Sequence, residues 1–421
     1  MRFDTLERWL AWQQVAHPVA IDPGLGRVGE VWRRLAPARP RTVLTIGGTN
    51  GKGSVAATLD AVLSAAGYDT GLFTSPHLVR YNERIRVRGR EADDAAITAA
   101  FARIDAARGE VSLTYFEWNT LAALLIFADE RVDAAVLEVG MGGRLDAVNL
   151  PDPDVAAVVS VGLDHCEFLG ATLEQIGAEK AGIFRPGRPA VFGSRAMPAS
   201  VARIAAQRGA PLRRLGADFD YVERADGWDY VGTGSRRREL PLPALAGARQ
   251  LANAATALAV LEAVEPAVLV PDEAVRAGLA RVRLPGRFQV VPGAPEWILD
   301  VAHNADAARA LALSLAARPC AGTTIAVCGI LADKDITAIV QALGGVVGRW
   351  IAVGLPGPRA LAAEELSRRV AAASGAPVAP AADVAAGCRQ AAAAAMPGDR
   401  ILVFGSFLTV GPALSHLGLA A

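Results

Sequence analysis

The sequence predicts an α/β protein of two domains, a larger one over residues 1–285 and a smaller one over 286–421. Short β-branched and apolar runs alternate with stretches of helical period along most of the chain. One of these runs feeds a glycine-rich turn that opens a helix. The alternation breaks at Leu284-Pro285-Gly286-Arg287-Phe288 and then resumes. At 421 residues, 52% hydrophobic and 20% charged, the chain has the length for two cores and is too apolar for disorder.

Taken in order, Leu6, Trp9, Leu10 and Trp12 mark a short amphipathic helix. A turn-rich stretch follows, from His17-Pro18 through Asp22-Pro23-Gly24-Leu25. Helical spacing returns at Val28, Val31, Trp32 and Leu35. Residues 42–46 read as a buried strand and residues about 54–66 as a helix. Between them lies Gly47-Gly48-Thr49-Asn50-Gly51-Lys52-Gly53-Ser54. Strand, glycine-rich turn, lysine, hydroxyl and helix start together make a phosphate cradle. The glycines let backbone N–H groups converge on an anion, the helix start adds donors, and Lys52 and Ser54 supply a cation and a hydroxyl. The loop departs from the strict G-x-x-x-x-G-K-[ST] pattern: Ile46 stands at the first glycine and Gly53 separates Lys52 from Ser54.

Residues 70–73 read as a second strand running into Thr74-Ser75-Pro76-His77-Leu78. This loop is either a plain turn or a neighbour of the phosphate loop, because strand ends of a parallel sheet converge on one edge. Residues 83–87 alternate as a half-exposed strand does. Residues 93–108 and 115–130 are helical, and Phe116 is either core or a surface for stacking a flat ring. Residues 134–139 form a buried strand that carries Glu138 near its end, which suits either a salt bridge or a Mg²⁺ ligand.

A strand over 155–161 leads to Asp164-His165-Cys166, where His165 is structural or metal-binding. Lys180 lies in an apolar helical stretch, as a solvated lysine or a functional one. Residues 211–240 read as a peripheral hairpin region. Residues 247–264 form an Ala/Leu-rich helix whose Asn253 needs a partner, internal or ligand. In the second domain, strands are expected at 297–300, 324–328, 350–353 and 401–404. The Ala-rich run 370–396 reads as two short helices around a Gly/Pro loop.

Lys plus Arg equals Asp plus Glu, 43 each, so nothing in the charge balance points to nucleic acid or an anionic membrane as a partner. Met1-Arg2-Phe3-Asp4 does not open a signal pattern, and no apolar run reaches the roughly 18 residues of a spanning helix. Cys166, Cys320, Cys328 and Cys388 show no C-x-x-C spacing and read as reduced thiols of a cytoplasmic protein, with no zinc site expected.

Taken together, the motifs resemble the folylpolyglutamate synthase/dihydrofolate synthase family, ATP-dependent amide ligases related to the Mur ligases. The matching stretches are Gly48 to Ser54, Ser75-Pro76-His77-Leu78, Leu137-Glu138-Val139-Gly140 with Gly142-Gly143-Arg144-Leu145-Asp146, Asp164-His165, Glu179-Lys180-Ala181-Gly182-Ile183-Phe184, Pro285-Gly286-Arg287-Phe288, and Asp300-Val301-Ala302-His303-Asn304. They follow family order over nearly the whole chain. Ile21-Asp22-Pro23-Gly24 and Leu113-Thr114-Tyr115-Phe116-Glu117 are similar to the bacterial bifunctional type.

The resemblance implies a P-loop, Mur-ligase-type ATPase domain and a smaller Rossmann-like C-terminal domain. It further implies ATP contacts at Asn50, Gly51, Lys52, Gly53, Ser54, Asn253, Arg287, Asp300 and His303. Two Mg²⁺ ions are expected, with Ser54, Ser75, Glu138, His165 and a carbamylated Lys180 as ligands. Lys52, Lys180, His165 and Glu138 are then the catalytic set. Asp22, Pro23, Gly24, Thr114, Tyr115, Phe116, Glu117, Leu145, Asp146 and Ala147 line the pterin site. The implied substrates are dihydropteroate, reduced folates and L-glutamate; a monomer is expected, and because an acyl phosphate must be kept from water the domains are expected to close. One departure is His303-Asn304-Ala305, where the family carries His-Asn-Pro. It removes a φ restraint from that turn.

Overall fold

The computed structural model describes residues 2–419, which cluster into two compact units. Among the described residues the first comprises 2–76, 81–244 and 251–282, and the second 77–80, 245–250 and 283–419. Each unit is therefore assembled from separated pieces of chain.

The first unit is built on an eight-stranded sheet. Its strands are β1 (Thr42–Gly47), β2 (Thr70–Phe73), β3 (Ile85–Val87), β4 (Arg90–Glu91), β5 (Ala134–Glu138), β6 (Val155–Val158), β7 (Ala190–Phe192) and β8 (Leu212–Arg214), in the order β4-β3-β2-β5-β1-β6-β7-β8. From β2 to β8 neighbouring strands run parallel, while β3 and β4 close one edge antiparallel. Strands buried on both faces need apolar residues at consecutive positions, and every residue of β1, β2, β5 and β6 is buried. One face packs Trp9, Phe101, Trp118 and Phe127; the other packs Leu59, Trp228 and Leu258. Strand β1 lies between β5 and β6, with Ile46 opposite Glu138 and Gly47 opposite Val158. The turn after β1 thus emerges beside both neighbours' ends, the place where open parallel sheets gather their ligands.

Strands β9 (Asp220–Arg224), β10 (Gly227–Val231) and β11 (Arg236–Leu240) form a small antiparallel sheet. The expected hairpin region at 211–240 is thus only partly one, because Leu212–Arg214 instead extends the main sheet. The alternation expected over 83–87 resolves into a single 3-10 turn, Tyr81–Arg84, followed by β3. The phosphate-loop helix runs from Lys52 to Ala65, so it starts before Ser54. Gly51 at φ 88° is its N-cap, a conformation that glycine adopts without strain. The helix expected from residue 247 runs over Gln250–Val264, and Gly247 before it has φ 125°.

The second unit carries a six-stranded sheet of β12 (Gln289–Val291), β13 (Glu296–Asp300), β14 (Thr324–Cys328), β15 (Arg349–Val353), β16 (Val378–Ala381) and β17 (Arg400–Phe404), in the order β12-β13-β17-β14-β15-β16. All pairings are parallel except β12 with β13. The Ala-rich run is a strand between the helices Ala363–Ser374 and Val384–Ala394, where only a loop was expected. β16 reads Val-Ala-Pro-Ala, which has weak β propensity. It is tolerated as a strand because it lies at a sheet edge, where Pro380 forfeits no interior ladder bond. All four cysteines are free thiols. No helix among the described residues is long and apolar enough to cross a membrane.

Candidate functional site

The phosphate loop is tethered on one side by the chain that follows β6. Thr49 N–H donates to the Ser160 carbonyl at 2.8 Å, and the Thr49 hydroxyl exchanges bonds with Gly162. Ser160 Oγ accepts from Asn50 N–H at 3.0 Å and donates to the Asn50 carbonyl at 2.8 Å. A Cβ on Gly48 would sit 3.2 Å from Val159 and Ser160, and one on Gly51 would sit 2.7 Å from Asn253 Oδ1. Glycine at these two positions therefore permits the close approach, and Asn253 borders the loop. The helix from Lys52 has no side-chain cap, and a helix start is where main-chain N–H groups and the helix dipole favour an anion.

Lys180 answers the choice left open by its pattern: it is 4% exposed. Its Nζ lies 3.0 Å from the Gly48 carbonyl. Burial first, then the neighbouring Lys52 cation, pushes its amine down to about 7, while Asp164 and Asp146 oppose the fall. Asp146 is pushed up to about 6 by burial, against main-chain donors at Met141, Val148 and Gly140 and the charge of Lys52. Lys52, Lys180, Asp146 and Asp164 thus share one electrostatic neighbourhood at the loop. Lys52 Nζ itself reaches the Thr49 carbonyl at 3.4 Å.

Glu138, buried at the end of β5, accepts the Ser75 N–H at 3.1 Å through Oε2. This brings Ser75 and Glu138 together, as parallel-strand convergence predicts. His165 adopts φ 51°, its N–H donates to Asp164 Oδ1 at 3.0 Å, and its ring Nε2 is 3.9 Å from that oxygen. Among the described residues no three His, Cys, Asp or Glu side chains converge on a cation position. The expected metal set contains only Glu138 and His165 of those types, with Ser54 and Ser75 hydroxyls. This donor chemistry suits Mg²⁺, which typically takes one or two protein carboxylates and fills its octahedron with water and phosphate oxygens.

Phe116 packs its ring where a Cβ on Gly140 would be 2.5 Å away, and lies 5.9 Å from Phe73. Asp146 caps the next turn, accepting from Met141 N–H at 2.8 Å and Val148 N–H at 2.9 Å, with Leu145 and Ala147 on either side. Thr114 and Glu117, on either side of Tyr115 and Phe116, form a capping box at the start of the helix Tyr115–Asp129. Glu117 Oε1 is joined to Asp22 through Arg27, whose NH2 lies 3.2 Å from Glu117 Oε1 and 2.8 Å from the Asp22 carbonyl. Burial raises the Glu117 carboxyl, opposed by the Thr114 N–H and by Arg27. Tyr115 flanks the Arg84 guanidinium at 5.6 Å. Pro23 and Gly24 continue the Asp22 segment.

Reading the sequence missed His17, Arg27, Asp164's charge role and Ser160. Arg27 did leave a signal: a cation in the first turn of the helix Gly26–Leu35 opposes the helix dipole, so some other interaction must hold it there.

The second unit holds its own cluster. Asp300, at the end of β13, accepts Phe288 N–H and Ala302 N–H, both at 2.8 Å. Burial raises its carboxyl and the Arg287 cation opposes the rise. His303 Nδ1 is 2.8 Å from the Val301 carbonyl, and Arg287 stacks 5.0 Å from the Phe407 ring. Asn304 caps the next helix through Ala307 N–H at 2.9 Å, so the turn holds its cap without the proline.

The Mur ligase middle domain matches residues 46–261, and the Mur ligase glutamate ligase domain matches residues 286–407. The dihydrofolate synthase/folylpolyglutamate synthase of Escherichia coli is 45% identical over 406 residues, covering 96% of this chain and 94% of that protein. The protein of the same name from Mycobacterium tuberculosis is 36% identical over 378 residues, covering 82% and 77%. Among solved structures, E. coli FolC in complex with DHPP and ADP has a TM-score of 0.94 at 43% identity, covering 99% of this chain and 98% of that one. The Yersinia pestis bifunctional enzyme with Mn, AMPPNP and L-glutamate bound has a TM-score of 0.92 at 43% identity, with the same coverage. With both Mur ligase domains matched and 45% identity over 96% of the chain, this protein is a member of the Mur ligase family, in its dihydrofolate synthase/folylpolyglutamate synthase branch.

Proposed function

We propose that this protein is an ATP-dependent amide ligase that joins L-glutamate to dihydropteroate and to the γ-carboxylate of reduced folates. The observation that carries the reading is the phosphate loop with Lys180 buried against Gly48, in a chain 45% identical to an enzyme of that name. A carboxylate does not condense with an amine at neutral pH, so it must be activated. Its oxygen attacks the γ-phosphorus of ATP, giving an acyl phosphate and ADP. The glutamate α-amine then attacks the acyl carbon, losing a proton, and inorganic phosphate leaves.

No side chain need act as a nucleophile. Positioning and neutralisation of charge supply the rate, as in phosphoryl transfer generally. The N–H groups of Gly51, Lys52, Gly53 and Ser54 and the Lys52 ammonium receive the phosphate oxygens. Asn50 and Asn253 border the nucleotide, and Arg287, Asp300 and His303 are further nucleotide contacts. Ser54, Ser75, Glu138, His165 and Lys180 would hold Mg²⁺, two ions being the expectation, which neutralises charge on the transferring phosphoryl group. Lys180 is proposed to be carbamylated. Its amine, at about 7, is substantially neutral near physiological pH, and the neutral amine is the form that adds CO₂. The carbamate is anionic and would remove the repulsion an ammonium would exert on a cation there.

Phe116, Tyr115, Thr114, Glu117, Asp22, Pro23, Gly24, Leu145, Asp146 and Ala147 are proposed to receive the pterin. Residues 1–285 would bind ATP and the acid, and residues 286–421 would form the glutamate-ligase domain. The protein is proposed to work as a cytoplasmic monomer without nucleic-acid or membrane partners. The test is to incubate purified protein with ATP, Mg²⁺, L-glutamate and either dihydropteroate or tetrahydrofolate. A product heavier by one glutamate residue, formed with ADP, supports the assignment. ADP release independent of the amine, with no amide product, would replace it with a phosphotransferase.

A further inference from the structure

We infer that His17 and Arg27 are positioning residues that hold the Asp22 carboxylate with Oδ1 free to take an N–H donor from the edge of a reduced pterin. This inference rests on the pteroate-ligase reading above. A carboxylate only accepts, so in the contact of His17 Nε2 with Asp22 Oδ2 at 3.2 Å the proton sits on Nε2. The other ring nitrogen, Nδ1, lies 3.0 Å from the Ser112 hydroxyl, which fixes the ring's orientation. Arg27 NH1 meets the same Oδ2 at 2.6 Å, while its NH2 bridges the Asp22 carbonyl and Glu117 Oε1. Asp22 Oδ2 therefore carries one hydrogen bond and one ion pair, and no hydrogen bond among the described residues uses Oδ1.

The burial is one-sided. The side chains of His17 and Glu117 are 8% and 5% exposed, whereas that of Asp22 is 37% exposed. The clamp fixes the carboxylate's position and leaves it open. A Cβ built at Gly24 would meet nothing within 4 Å, so space lies beside the segment. Phe116, next to Glu117 on the helix that anchors the clamp, brings an aromatic ring to the same helix start. A pterin carries its 2-amino group and an adjacent ring N–H on one edge, which is the donor chemistry that an orientated carboxylate oxygen accepts. The anchoring also explains Arg27: its place in the first turn of its helix is unfavourable locally and is offset by two carboxylates.

The experiment compares wild type, His17→Ala, His17→Gln and Ser112→Ala, each checked for folding by thermal melting. Michaelis constants are measured for dihydropteroate, for a dihydropteroate analogue lacking the 2-amino group, and for ATP. His17→Ala should raise KM for dihydropteroate about tenfold, the loss expected for one charge-assisted hydrogen bond, with kcat and KM for ATP nearly unchanged. His17→Gln, which keeps an N–H donor, should recover much of the loss. The preference of wild type for dihydropteroate over the analogue should shrink in His17→Ala. An unchanged KM for dihydropteroate, or an equal loss for both ligands, would overturn the inference and leave a purely structural clamp. Should His17→Ala not fold, Ser112→Ala gives the same comparison with a smaller expected shift, and equal losses there would overturn it likewise. A wild type that does not turn over dihydropteroate removes the pteroate reading and this inference together; a wild type that does, with flat variants, removes only the inference.

Discussion

Lys180 lies against the Gly48 carbonyl with Lys52 close by, and two consequences can be measured at this residue. Its amine titrates at about 7 in the fold against 10.5 when free. Between those values the unfolded chain binds more protons than the folded one, so stability attributable to this residue rises with pH. The penalty is full below about pH 7 and is gone above 10.5. In CO₂-free buffer without nucleotide, Lys180→Met should therefore be more stable than wild type at pH 6, with the gap closing toward pH 10. Denaturant midpoints across that range check it. Carbamylation makes a separate prediction: ¹³C-bicarbonate should give a carbamate resonance that is absent from Lys180→Ala, and short carboxylic acids should partly restore that variant's turnover. Lys52→Ala should lower ADP formation by a factor of about 10³ or more, as loss of a phosphate-binding cation generally does; single-turnover assays decide it.

At the scale of the element, the unit that matters is strand, turn and helix, from β1 to Lys52–Ala65. Its existence was legible in sequence because a β-branched run, clustered glycines and an apolar helical stripe coincide there. Its start was not, since whether a helix begins at Lys52 or Ser54 depends on the positive φ of Gly51. Gly51→Ala forces that conformation on a side chain and drives a Cβ to 2.7 Å from Asn253. The variant should lose about 1–3 kcal/mol of stability and most nucleotide affinity, read by denaturation and ADP titration.

Ser160 was silent in the sequence, a serine just after a strand, because its role is a contact across 110 residues. Ser160→Ala should raise KM for ATP about tenfold with little change in KM for the acid, since two bonds to Asn50 disappear. The clamp around Asp22 was half legible. Asp22 and Glu117 stood out by resemblance, whereas Arg27 and His17 are joined to them only by folding. β16 escaped notice because alanine and proline disguise a strand that neighbouring β15 imposes.

At the scale of the molecule, the alternating pattern and the break near Pro285 disclosed that there are two α/β bodies. They could not disclose that the second body includes His77–Arg80 and Leu245–Gln250, because such membership comes from contacts remote in sequence. Leu78 is packed so closely within that body that a Cβ on Gly411 would fall 2.0 Å from its carbonyl oxygen. Ser314 Oγ likewise accepts the Ala248 N–H at 2.9 Å. A fragment of residues 283–421 lacks both pieces. It should be less stable than the same residues in the whole chain by about 1–3 kcal/mol, the worth of burying Leu245, as hydrogen exchange on Phe407–His416 would report.

The interleaving also sets a rule for recombination. A chimera between two relatives made with a single crossover near residue 283 would inherit its C-terminal body from one parent and the pieces at 77–80 and 245–250 from the other. Grafting the body cleanly requires three exchanges, so tailoring how such an enzyme handles its amino acid calls for splicing these short inserts along with the tail.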